Sequence, residues 1–552
     1  SVQSDIRQVM ETGYEHSRYW PHMLEHDCLV AWRGGGHAEA LTLAAEAIER
    51  EPRARVALKL LAQRPQTLPV DIARDLLQLV GQTRDVASVD MRWMGVASLE
   101  PLRGLPLLNL ACGWNDIVDL SPLRGMPLRH LDATGNRIVD IEPLQGLRPQ
   151  TLYLSDNLIR ELAPLHGMSL RGLSISRNPV RNLQAISGMP LNGLSIADCE
   201  VSDLEPLRDM PLVNLNITGN PIASLEAIRG MSLREVRMGE CGIRSLEPLT
   251  GMPLEIIEAE VNRFESLVPL RGMPLRTLYI GRNRVSDLSP LVGAPLEDLR
   301  CSENPISSLQ PLAALPLRTL RVSRCPVSSL EPLRGMPLND LDIGYTGVRD
   351  LRPLEGMPLS SLNCIGTVLD DLRPFERVPP REFQFDSVAA GPEYVRQVLA
   401  RWERDGYMRS TMLTRAALAL RRGDRPALRQ LASELNGHRY LYVGRSITFD
   451  SASVAAATMG AHLVTITSAE EQQVVLAQLP RDAGAWLDME YVPEQGNRWR
   501  TGEPYTFEDF ADRSALRTPG PRIILGGYSS GGNWFAGYDD EARTGLLLEW
   551  DN

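Results

Sequence analysis

Three histidines and a cysteine lie close together near the N-terminus, and these residue types can bind a transition metal. His22 and His26 are four positions apart, so a helix would place both side chains on one face. His16 and Cys28 could add further ligands. However, Pro21 interrupts the segment, and no acidic residue has the spacing found in zinc proteases. The sequence therefore favours a surface or packing role for these side chains, and we expect no metal and no other cofactor.

Carboxylates are the other side chains here that could do chemistry, and they follow a fixed period. Asp140 and Glu142 recur at the equivalent positions as Asp203 and Glu205. A residue that recurs with every repeat is expected to stabilise the repeat fold rather than to take part in catalysis. The chain also lacks a phosphate-binding glycine loop, a dinucleotide glycine fingerprint, H-E-x-x-H, G-x-S-x-G and the kinase motifs. We therefore predict that this chain is not an enzyme.

Composition narrows the choice of partners. The 552 residues are too many for one hydrophobic core, so several domains or a repeat array are expected. A net charge of −11 argues against nucleic acid, and no apolar run is long enough to cross a membrane. The first residues resemble no secretion signal and include no initiator Met, so we expect a processed product or a fragment of a longer protein.

The strongest signal is an internal repeat, in which E-P-L-R-G-M-P-L and its variants return every 21 residues. Ala185 and Ala227 take the two places in this series that lack proline. The prolines of the series are Pro101, Pro122, Pro143, Pro164, Pro206, Pro248, Pro269, Pro290, Pro311, Pro332, Pro353 and Pro374. Such a register over almost 300 residues predicts stacked copies of one short unit.

The unit reads L-x-x-L-x-L-x-x-N-x-I-x-x-L-x-P-L-x-G-M-P, as in the copy that begins at Leu128. Its L-x-L alternation predicts a short strand with one inward face, and its asparagine can bond free backbone groups at the following turn. The pattern resembles the leucine-rich repeats, in the short internalin-like style known from bacteria. That resemblance implies an α/β solenoid with a curved parallel sheet and only a turn or a 3₁₀ segment on the convex side.

The cysteines fit the same register. The asparagine position holds Cys199, Cys241 and Cys325, and an inward position holds Cys112, Cys301 and Cys364. With no paired spacing, neither a disulfide framework nor a zinc site is expected. A reducing compartment follows most simply, so we predict a cytoplasmic location.

Leucine-rich repeats generally bind through the concave sheet, and the repeat register gives its outward residues. From Glu235 onward these residues become charged and aromatic, and Arg and Tyr are types that anchor interfaces. The candidate ligand-binding residues are Arg237, Glu258, Tyr279, Arg282, Arg300, Arg321, Arg324 and Tyr345. The alternative is a solvated sheet whose opposite charges pair across neighbouring strands. If the residues form a contact surface, replacing Tyr279, Arg300 and Arg321 with Ala should abolish partner capture and leave the melting curve nearly unchanged.

Helical patterns flank the repeats. On the N-terminal side, apolar residues fall at helical spacing at Leu41, Ala44, Ala45 and Ile48, then at Val56, Leu60 and Leu61, and then at Ile72, Leu76 and Leu79. On the C-terminal side, the same spacing appears at Val395, Val398, Leu399 and Trp402, and again at Leu428, Leu431 and Leu435. We predict two or three C-terminal helices that cap the solenoid and lead into the last domain.

From Gly437 onward the sequence resembles a C-type-lectin-like domain. An aromatic strand is followed by G-A-H-L-V-T-I-T-S, Ala485-Trp486-Leu487 stands at the family's W-I-G-L strand, and Trp499 opens a W-x-x-G-E-P turn. Trp534 and the segment from Leu546 to Trp550 match the closing strands. The resemblance implies an α+β domain, with Tyr528, Trp534, Asp539 and Asp540 as candidate binding residues.

The calcium and sugar motifs of that family are incomplete here. Phe535 and Ala536 follow Trp534, so the carboxylate of Trp-Asn-Asp is missing. Asp539 and Asp540 alone supply few of the six to eight oxygen ligands that calcium takes. The family's disulfides are absent as well. Carbohydrate binding is therefore not expected, and a protein-binding or structural module is.

Together these features predict four segments and a binding role. They are a helical N-terminal domain (1–95), about 13–14 repeats (96–387), a helical connector (388–436) and the lectin-like domain (437–552). We expect a non-catalytic scaffold that binds a protein partner through the concave face, the lectin-like domain or both. Two alternatives stay open: a regulatory region of a larger bacterial signalling enzyme, such as a Ser/Thr kinase, and a carbohydrate-binding lectin.

Overall fold

The computed structural model describes residues 86–222 and 224–407 without a break. It also describes the helices His37–Arg50 and Val70–Gln82 and, beyond residue 407, isolated residues and a set of strands. His16, His22, His26 and Cys28 lie outside the described residues, as do Val56, Leu60 and Leu61. The chain divides into two units, residues 1–212 and 213–552, and each is described by itself.

The first unit begins with two amphipathic helices, α1 (His37–Arg50) and α2 (Val70–Gln82). Leu41 and Ala44 of α1 are buried as predicted. Ala45 is exposed, because it lies on the same side of the helix as the exposed residues Ala38 and Thr42. On α2, Leu76 and Leu79 are buried, again as the spacing predicts.

Six short parallel strands follow in the first unit, each paired with the next in chain order. They are β1 (Ser88–Asp90), β2 (Asn109–Ala111), β3 (His130–Asp132), β4 (Thr151–Tyr153), β5 (Gly172–Ser174) and β6 (Gly193–Ser195). The ladder already begins at Ser88, inside the segment that the sequence assigns to the N-terminal helices. Ser88–Asp90 can form the first strand because Val89 fills the same buried position as the leucines of the later strands. The sequence did not indicate this repeat, since no E-P-L motif precedes it.

Nine further parallel strands form the repeat part of the second unit. They are β7 (Asn214–Asn216), β8 (Glu235–Arg237), β9 (Ile256–Glu258), β10 (Thr277–Tyr279), β11 (Asp298–Arg300), β12 (Thr319–Arg321), β13 (Asp340–Asp342), β14 (Ser361–Cys364) and β15 (Glu382–Phe385). Leu278 pairs with Leu299 and Leu299 with Leu320, so equivalent positions of successive repeats lie side by side. Leu278 and Leu320 are fully buried, as is Leu131 in the first unit, which confirms the predicted inward face.

A three-residue 3₁₀ helix forms the other side of each repeat, as predicted. In the first unit these are Glu100–Leu102, Ser121–Leu123, Glu142–Leu144, Ala163–Leu165, Gln184–Ile186 and Glu205–Leu207. In the second they are Glu226–Ile228, Glu247–Leu249, Val268–Leu270, Ser289–Leu291, Gln310–Leu312, Glu331–Leu333, Arg352–Leu354 and Arg373–Phe375. Proline suits the first turn because its fixed φ is helical and its missing N–H would have no partner there.

Buried asparagines connect successive repeats. The Nδ2 group of Asn157 donates to the carbonyls of Ala133, Leu154 and Ser155, and its Oδ1 accepts from the Ile138 N–H, all at 3.0 Å. The side chain therefore satisfies backbone groups that have no partner in the strand ladder. This is the role that the sequence predicts for this position.

Cysteines replace some of these asparagines. The Cys199 thiol donates to the Ile175 carbonyl at 3.1 Å, and the Cys241 thiol donates to the Ile217 carbonyl at the same distance. Cys112, Cys301 and Cys364 fill the inward position and are fully buried. None of the six described cysteines forms a disulfide with another described residue, and their packing roles are those predicted from the register.

The last repeats of the second unit are covered by helix α3 (Pro392–Arg404). Val395, Val398, Leu399 and Trp402 are buried, and the Trp402 indole donates to the Phe375 carbonyl at 3.0 Å. The Trp402 ring also contacts Phe383 and Phe385, so the helix closes the apolar interior with aromatic side chains. α3 is one helix of the two or three that the sequence predicts at this end of the array.

The C-terminal domain contains nine described strands. They are β16 (Ser433–Leu435), β17 (His438–Val443), β18 (His462–Leu463), β19 (Gly484–Trp486), β20 (Met489–Val492), β21 (Gly496–Trp499), β22 (Arg522–Gly526), β23 (Trp534–Gly537) and β24 (Thr544–Asp551). Seven form one sheet, β16-β17-β24-β19-β22-β23 with β18 on β24, and β20 pairs with β21.

One helix prediction is wrong at its C-terminal end. Leu431 is helical and Leu428 lies outside the described residues, but Leu435 lies in β16 and pairs with His438. The residues between the two strands are Asn436 and Gly437, the pair that most strongly favours a two-residue hairpin loop. The hairpin therefore outweighs the helical spacing of the three leucines.

Candidate interaction surface on the parallel strands

Five of the predicted binding residues are the last residues of consecutive strands, with their side chains on the face opposite the leucine core. We call them the strand column: Arg237 on β8, Glu258 on β9, Tyr279 on β10, Arg300 on β11 and Arg321 on β12. The register places each directly beside the next. Since neighbouring strands lie about 4.8 Å apart, these side chains stand next to one another on the face.

Tyr279, Asp298 and Arg300 form one closed cluster. The Tyr279 hydroxyl donates to Asp298 Oδ2 at 2.8 Å, and Arg300 donates to both oxygens of Asp298 at 3.2 and 3.0 Å. The Arg300 guanidinium also lies 4.2 Å above the centre of the Tyr279 ring. Only 14% of the Arg300 side chain is exposed, so the guanidinium is held in one orientation.

Arg321 is bound in a similar way on the next strands. Its Nη2 group donates to Asp340 Oδ2 at 2.8 Å. Asp342 lies nearby and accepts from the Gly344 N–H at 2.9 Å and from Asn363 Nδ2 at 3.0 Å. Burial raises the pKa of the Asp342 carboxyl, although the Gly344 N–H opposes that rise. The environment of Arg321 therefore already contains two carboxyl groups.

Both arginines nevertheless keep a buried donor without an acceptor. Among the described residues, nothing accepts a hydrogen bond from Nη1 of Arg300 or from Nε of Arg321. A buried donor without a partner costs about 1–3 kcal/mol. Arg300 and Arg321 are adjacent in the register, so the two donors lie in the same part of the face.

The acidic end of the strand column is less completely paired. Arg237 donates to Glu235 at 2.7 Å and lies 3.4 Å from Glu258. Glu260 lies two residues after Glu258 and therefore on the same face of the chain. Burial raises the pKa of both Glu258 and Glu260, and the opposing effect of arginine is smaller in each case. Burial therefore disfavours the charged form of both carboxyls.

Arg282, Arg324 and Tyr345 lie in a different place from the other five predicted residues. They occupy the turn after each strand with φ near +57°, and we call this set, with Glu303, the turn column. Arg282 lies 3.7 Å from Glu303, and the Arg324 guanidinium lies 4.4 Å from the centre of the Tyr345 ring. The turn column thus runs beside the strand column as a second line of paired side chains.

Two residues of this surface were missing from the predicted set. Asp298 and Asp340 are the first residues of β11 and β13, and they hold Arg300 and Arg321 in place. The sequence contained information that could have identified these aspartates, because side chains two residues apart on a strand share a face. The two donors without acceptors, Nη1 of Arg300 and Nε of Arg321, could not be predicted from the sequence. Which guanidinium nitrogen lacks a partner depends on the side-chain rotamer.

The equivalent face of the first unit is mainly small and polar. Ser155 and Ser174 are joined by a hydrogen bond of 2.7 Å, as are Ser176 and Ser195. Tyr153 is the large side chain here, with 46% of the residue exposed. The contrast predicted between the two halves of the array is therefore present in the structure.

Of the predicted lectin-like residues, Tyr528, Asp539 and Asp540 lie outside the described part of the chain. Trp534 is the first residue of β23 and pairs with Leu525. Within the described ranges, no group of three His, Cys, Asp or Glu side chains is arranged to hold a metal ion. None of the helices in these ranges has the length and apolar character that a bilayer crossing requires.

A sequence model of the C-type lectin domain matches residues 445–521. An internalin (InlF) from Listeria monocytogenes is 25% identical over 53% of this chain and 93% of its own, with a TM-score of 0.48. The functional domain of InlJ from the same species, which includes a cysteine ladder, is 18% identical over 56% of this chain and 69% of its own, with a TM-score of 0.38.

The C-type carbohydrate-recognition domain of cow CD23 is 15% identical over 22% of this chain and 93% of its own, with a TM-score of 0.20. No curated protein matches the sequence. The parallel ladder, the buried leucines and the 21-residue period together identify the fold of the array as a leucine-rich-repeat solenoid, and residues 445–521 beyond it match the C-type lectin domain.

Proposed function

We propose that this chain is a non-catalytic recognition protein that captures a protein partner through the strand column of its second unit. The observation that supports this most is that the Arg300 and Arg321 side chains are fixed in place by Asp298 and Asp340, with the Arg300 guanidinium above the Tyr279 ring. Arg and Tyr held rigidly at a surface lose little conformational entropy on binding, which is why they serve as anchors.

A pull-down from the source cells with the intact chain tests the proposal. The variant carries Tyr279→Ala, Arg300→Ala and Arg321→Ala, and the matched control carries Arg229→Ala, Arg334→Ala and Arg352→Ala. The control arginines each pair with an acidic residue on or next to a 3₁₀ segment, on the other side of the repeat. We expect the control to retain the partner and the variant to lose it.

The triple variant will also be less stable, contrary to the expectation from sequence. Arg300 and Arg321 are only 14% and 20% exposed, and their removal leaves Asp298 and Asp340 without counter-charges. A second variant, Arg300→Lys with Arg321→Lys, keeps the charges but removes the planar guanidinium donors. We expect it to melt close to the wild type and still lose capture. Capture of the same protein by this variant and by the wild type would refute the proposal.

A second candidate function concerns the C-terminal domain. The C-type lectin model matches residues 445–521 and ends before Trp534, Asp539 and Asp540, where the sequence departs from the sugar motifs. The match favours a ligand-binding domain, and carbohydrate is the alternative to protein. Calcium-dependent melting together with hits on a glycan array would support carbohydrate, whereas an unchanged melting curve and no hits would exclude it.

A further inference from the structure

The segment that leads into each strand carries no carboxylate in four successive repeats of the first unit. These leading segments end at the buried strand leucine and comprise residues 127–131, 148–152, 169–173 and 190–194. They contain Arg129, Arg148 and Arg171, whereas the equivalent segments of the second unit include Glu255 and Glu297. The edge that the four segments form is therefore positively charged, in a chain whose net charge is −11.

Four residues of these segments lie side by side in the hydrogen-bonded ladder. The Arg129 carbonyl accepts from the Gln150 N–H at 2.7 Å, and the Gln150 carbonyl accepts from the Arg171 N–H at 2.8 Å. The Asn192 N–H donates to the Arg171 carbonyl, also at 2.8 Å. Since neighbouring strands lie about 4.8 Å apart, the backbone holds Arg129 and Arg171 about 10 Å from each other. Arg148 precedes Gln150 by two residues, and we call these five residues the basic edge.

Arginines at the same repeat position of the second unit have carboxylate partners. Arg234 pairs with Glu255 at 2.5 Å, and Arg276 pairs with Glu297 at 2.7 Å. In each pair the glutamate follows the arginine by 21 residues, so the ion pair joins neighbouring strands. The positive charge of these two arginines is thus balanced within the array.

In the first unit, neutral amides stand in the places of those glutamates. Gln150 follows Arg129 by 21 residues, and Asn192 follows Arg171 by 21 residues. The side chains of the basic edge are exposed, and none of them forms a hydrogen bond or an ion pair with a described residue. The guanidinium groups of Arg129, Arg148 and Arg171 therefore stand at the surface without counter-charges from the described chain.

An ordered row of unpaired guanidinium groups favours a negatively charged ligand. Arginine binds a carboxylate through two parallel hydrogen bonds, which fixes the orientation of the pair. A single exposed ion pair contributes little, so a ligand has to engage Arg129 and Arg171 together. Two acidic residues three positions apart meet this requirement, because a polyproline II chain advances about 9 Å in three residues and returns to the same face.

The amides beside the arginines favour a peptide over a nucleic acid. The side chains of Gln150 and Asn192 can each donate and accept hydrogen bonds, as the backbone groups of a peptide also can. Phosphate oxygens only accept, so they would use the amide donors and leave the amide oxygens to water. Proteins that bind nucleic acid also neutralise more phosphates than three arginines can reach.

We propose that the basic edge binds an acidic segment of a partner protein, in which two carboxylates three residues apart pair with Arg129 and Arg171. Gln150 and Asn192 bond the backbone of that segment, and Arg148 adds positive charge beside it. The inference goes beyond the proposed function, because it assigns a second binding surface, on the first unit. It holds whether or not the strand column captures its own partner.

Fluorescence anisotropy of a labelled peptide with four Glu-Pro-Pro repeats, titrated with the intact chain at low salt, tests the proposal. We expect binding that weakens as NaCl is added, and no binding of the matched Gln-Pro-Pro peptide. Arg129→Gln with Arg171→Gln should weaken binding at least tenfold. Gln150→Glu with Asn192→Glu should weaken it to the same extent, because the new carboxylates would pair with the two arginines as in the second unit.

Arg234→Gln with Arg276→Gln is the matched control, because these arginines hold the same repeat position but are already paired. This control should leave the affinity for the Glu-Pro-Pro peptide within twofold of the wild type. All the substituted residues are exposed, so we expect the variants to melt close to the wild type.

No binding of the Glu-Pro-Pro peptide, equal binding of the Gln-Pro-Pro peptide, or an equal loss in the Arg129 and Arg234 double variants would overturn the inference. A single-stranded DNA of twelve thymidines tests the other class of polyanion, and we expect it to bind more weakly than the Glu-Pro-Pro peptide. If the DNA binds more tightly and is lost from the Arg129 double variant, the basic edge is a nucleic-acid site and the proposal is wrong.

Discussion

Replacing Asn157 with Ala tests how much one side chain contributes to the stacking of repeats. The carbonyls of Ala133 and Leu154 lose one donor each but keep another, from Asn136 and Asn178 respectively. The Ile138 N–H has no such reserve, because the Asn157 Oδ1 is its acceptor at 3.0 Å. One buried donor without a partner, together with the small cavity, should cost about 2–4 kcal/mol.

Cys199→Ala provides the matched comparison at the same repeat position. Here the equivalent backbone donor, the Val180 N–H, bonds the Asn178 carbonyl at 2.7 Å instead of the side chain. Removing the thiol therefore leaves no N–H without a partner, and its weak hydrogen bond should cost about 1 kcal/mol or less. We therefore predict that Asn157→Ala lowers the stability of the chain more than Cys199→Ala does.

Urea unfolding of the intact chain, followed by circular dichroism, measures the loss. Hydrogen exchange of the peptide that contains Ile138 gives a local measure, which matters because long repeat arrays need not unfold in one step. Asn157→Ala should lower the midpoint and accelerate exchange at Ile138, whereas Cys199→Ala should do neither strongly. Equal effects from the two substitutions would refute the role that we assign to the asparagine.

Four further predictions concern the core, the binding face and one 3₁₀ segment. Glu260→Gln should raise stability near pH 7, because burial raises the pKa of Glu260 and the folded state loses stability as the pH rises through that pKa. In melting curves the gain should disappear near pH 4. A gain that persists at pH 4 would contradict this prediction. Glu205→Gln should act in the opposite direction, since Arg208 lowers the pKa of Glu205. Tyr279→Phe should cost about 1–2 kcal/mol by removing the donor to its carboxylate partner, and an unchanged urea midpoint would count against that hydrogen bond. Leu320→Ala should cost about 2–5 kcal/mol in the same assay, and a loss below 1 kcal/mol would contradict its burial.

The repeat fold could be predicted from sequence because its period is long and regular. A fixed spacing of 21 residues gives strand, turn and return segment the same place in every copy, so one copy explains all of them. Leu131 and Leu278 are buried for that reason. The asparagine and cysteine positions follow from the same register, because each repeat must satisfy the same backbone groups.

The binding face was predicted only in outline. Its column of large side chains follows from the register, but the pairing of Arg300 with Asp298 needs the two-residue alternation of a strand. The orphaned donors on Arg300 and Arg321 depend on how each guanidinium is turned toward its carboxylate, which no periodicity encodes. At Leu435 the helical spacing misled, because the Asn-Gly pair that follows it favours a hairpin.

Carboxyl footprinting of the captured complex tests the recognition role most directly. Carbodiimide and glycine ethyl ester label accessible carboxyls, and mass spectrometry compares the free chain with the complex. Glu258 and Glu260 should lose labelling several-fold when the partner is bound, whereas Glu226 and Glu331 on the 3₁₀ segments should be labelled as before. Protection of Glu226 and Glu331, with Glu258 and Glu260 unchanged, would show that the partner binds elsewhere and would contradict the account.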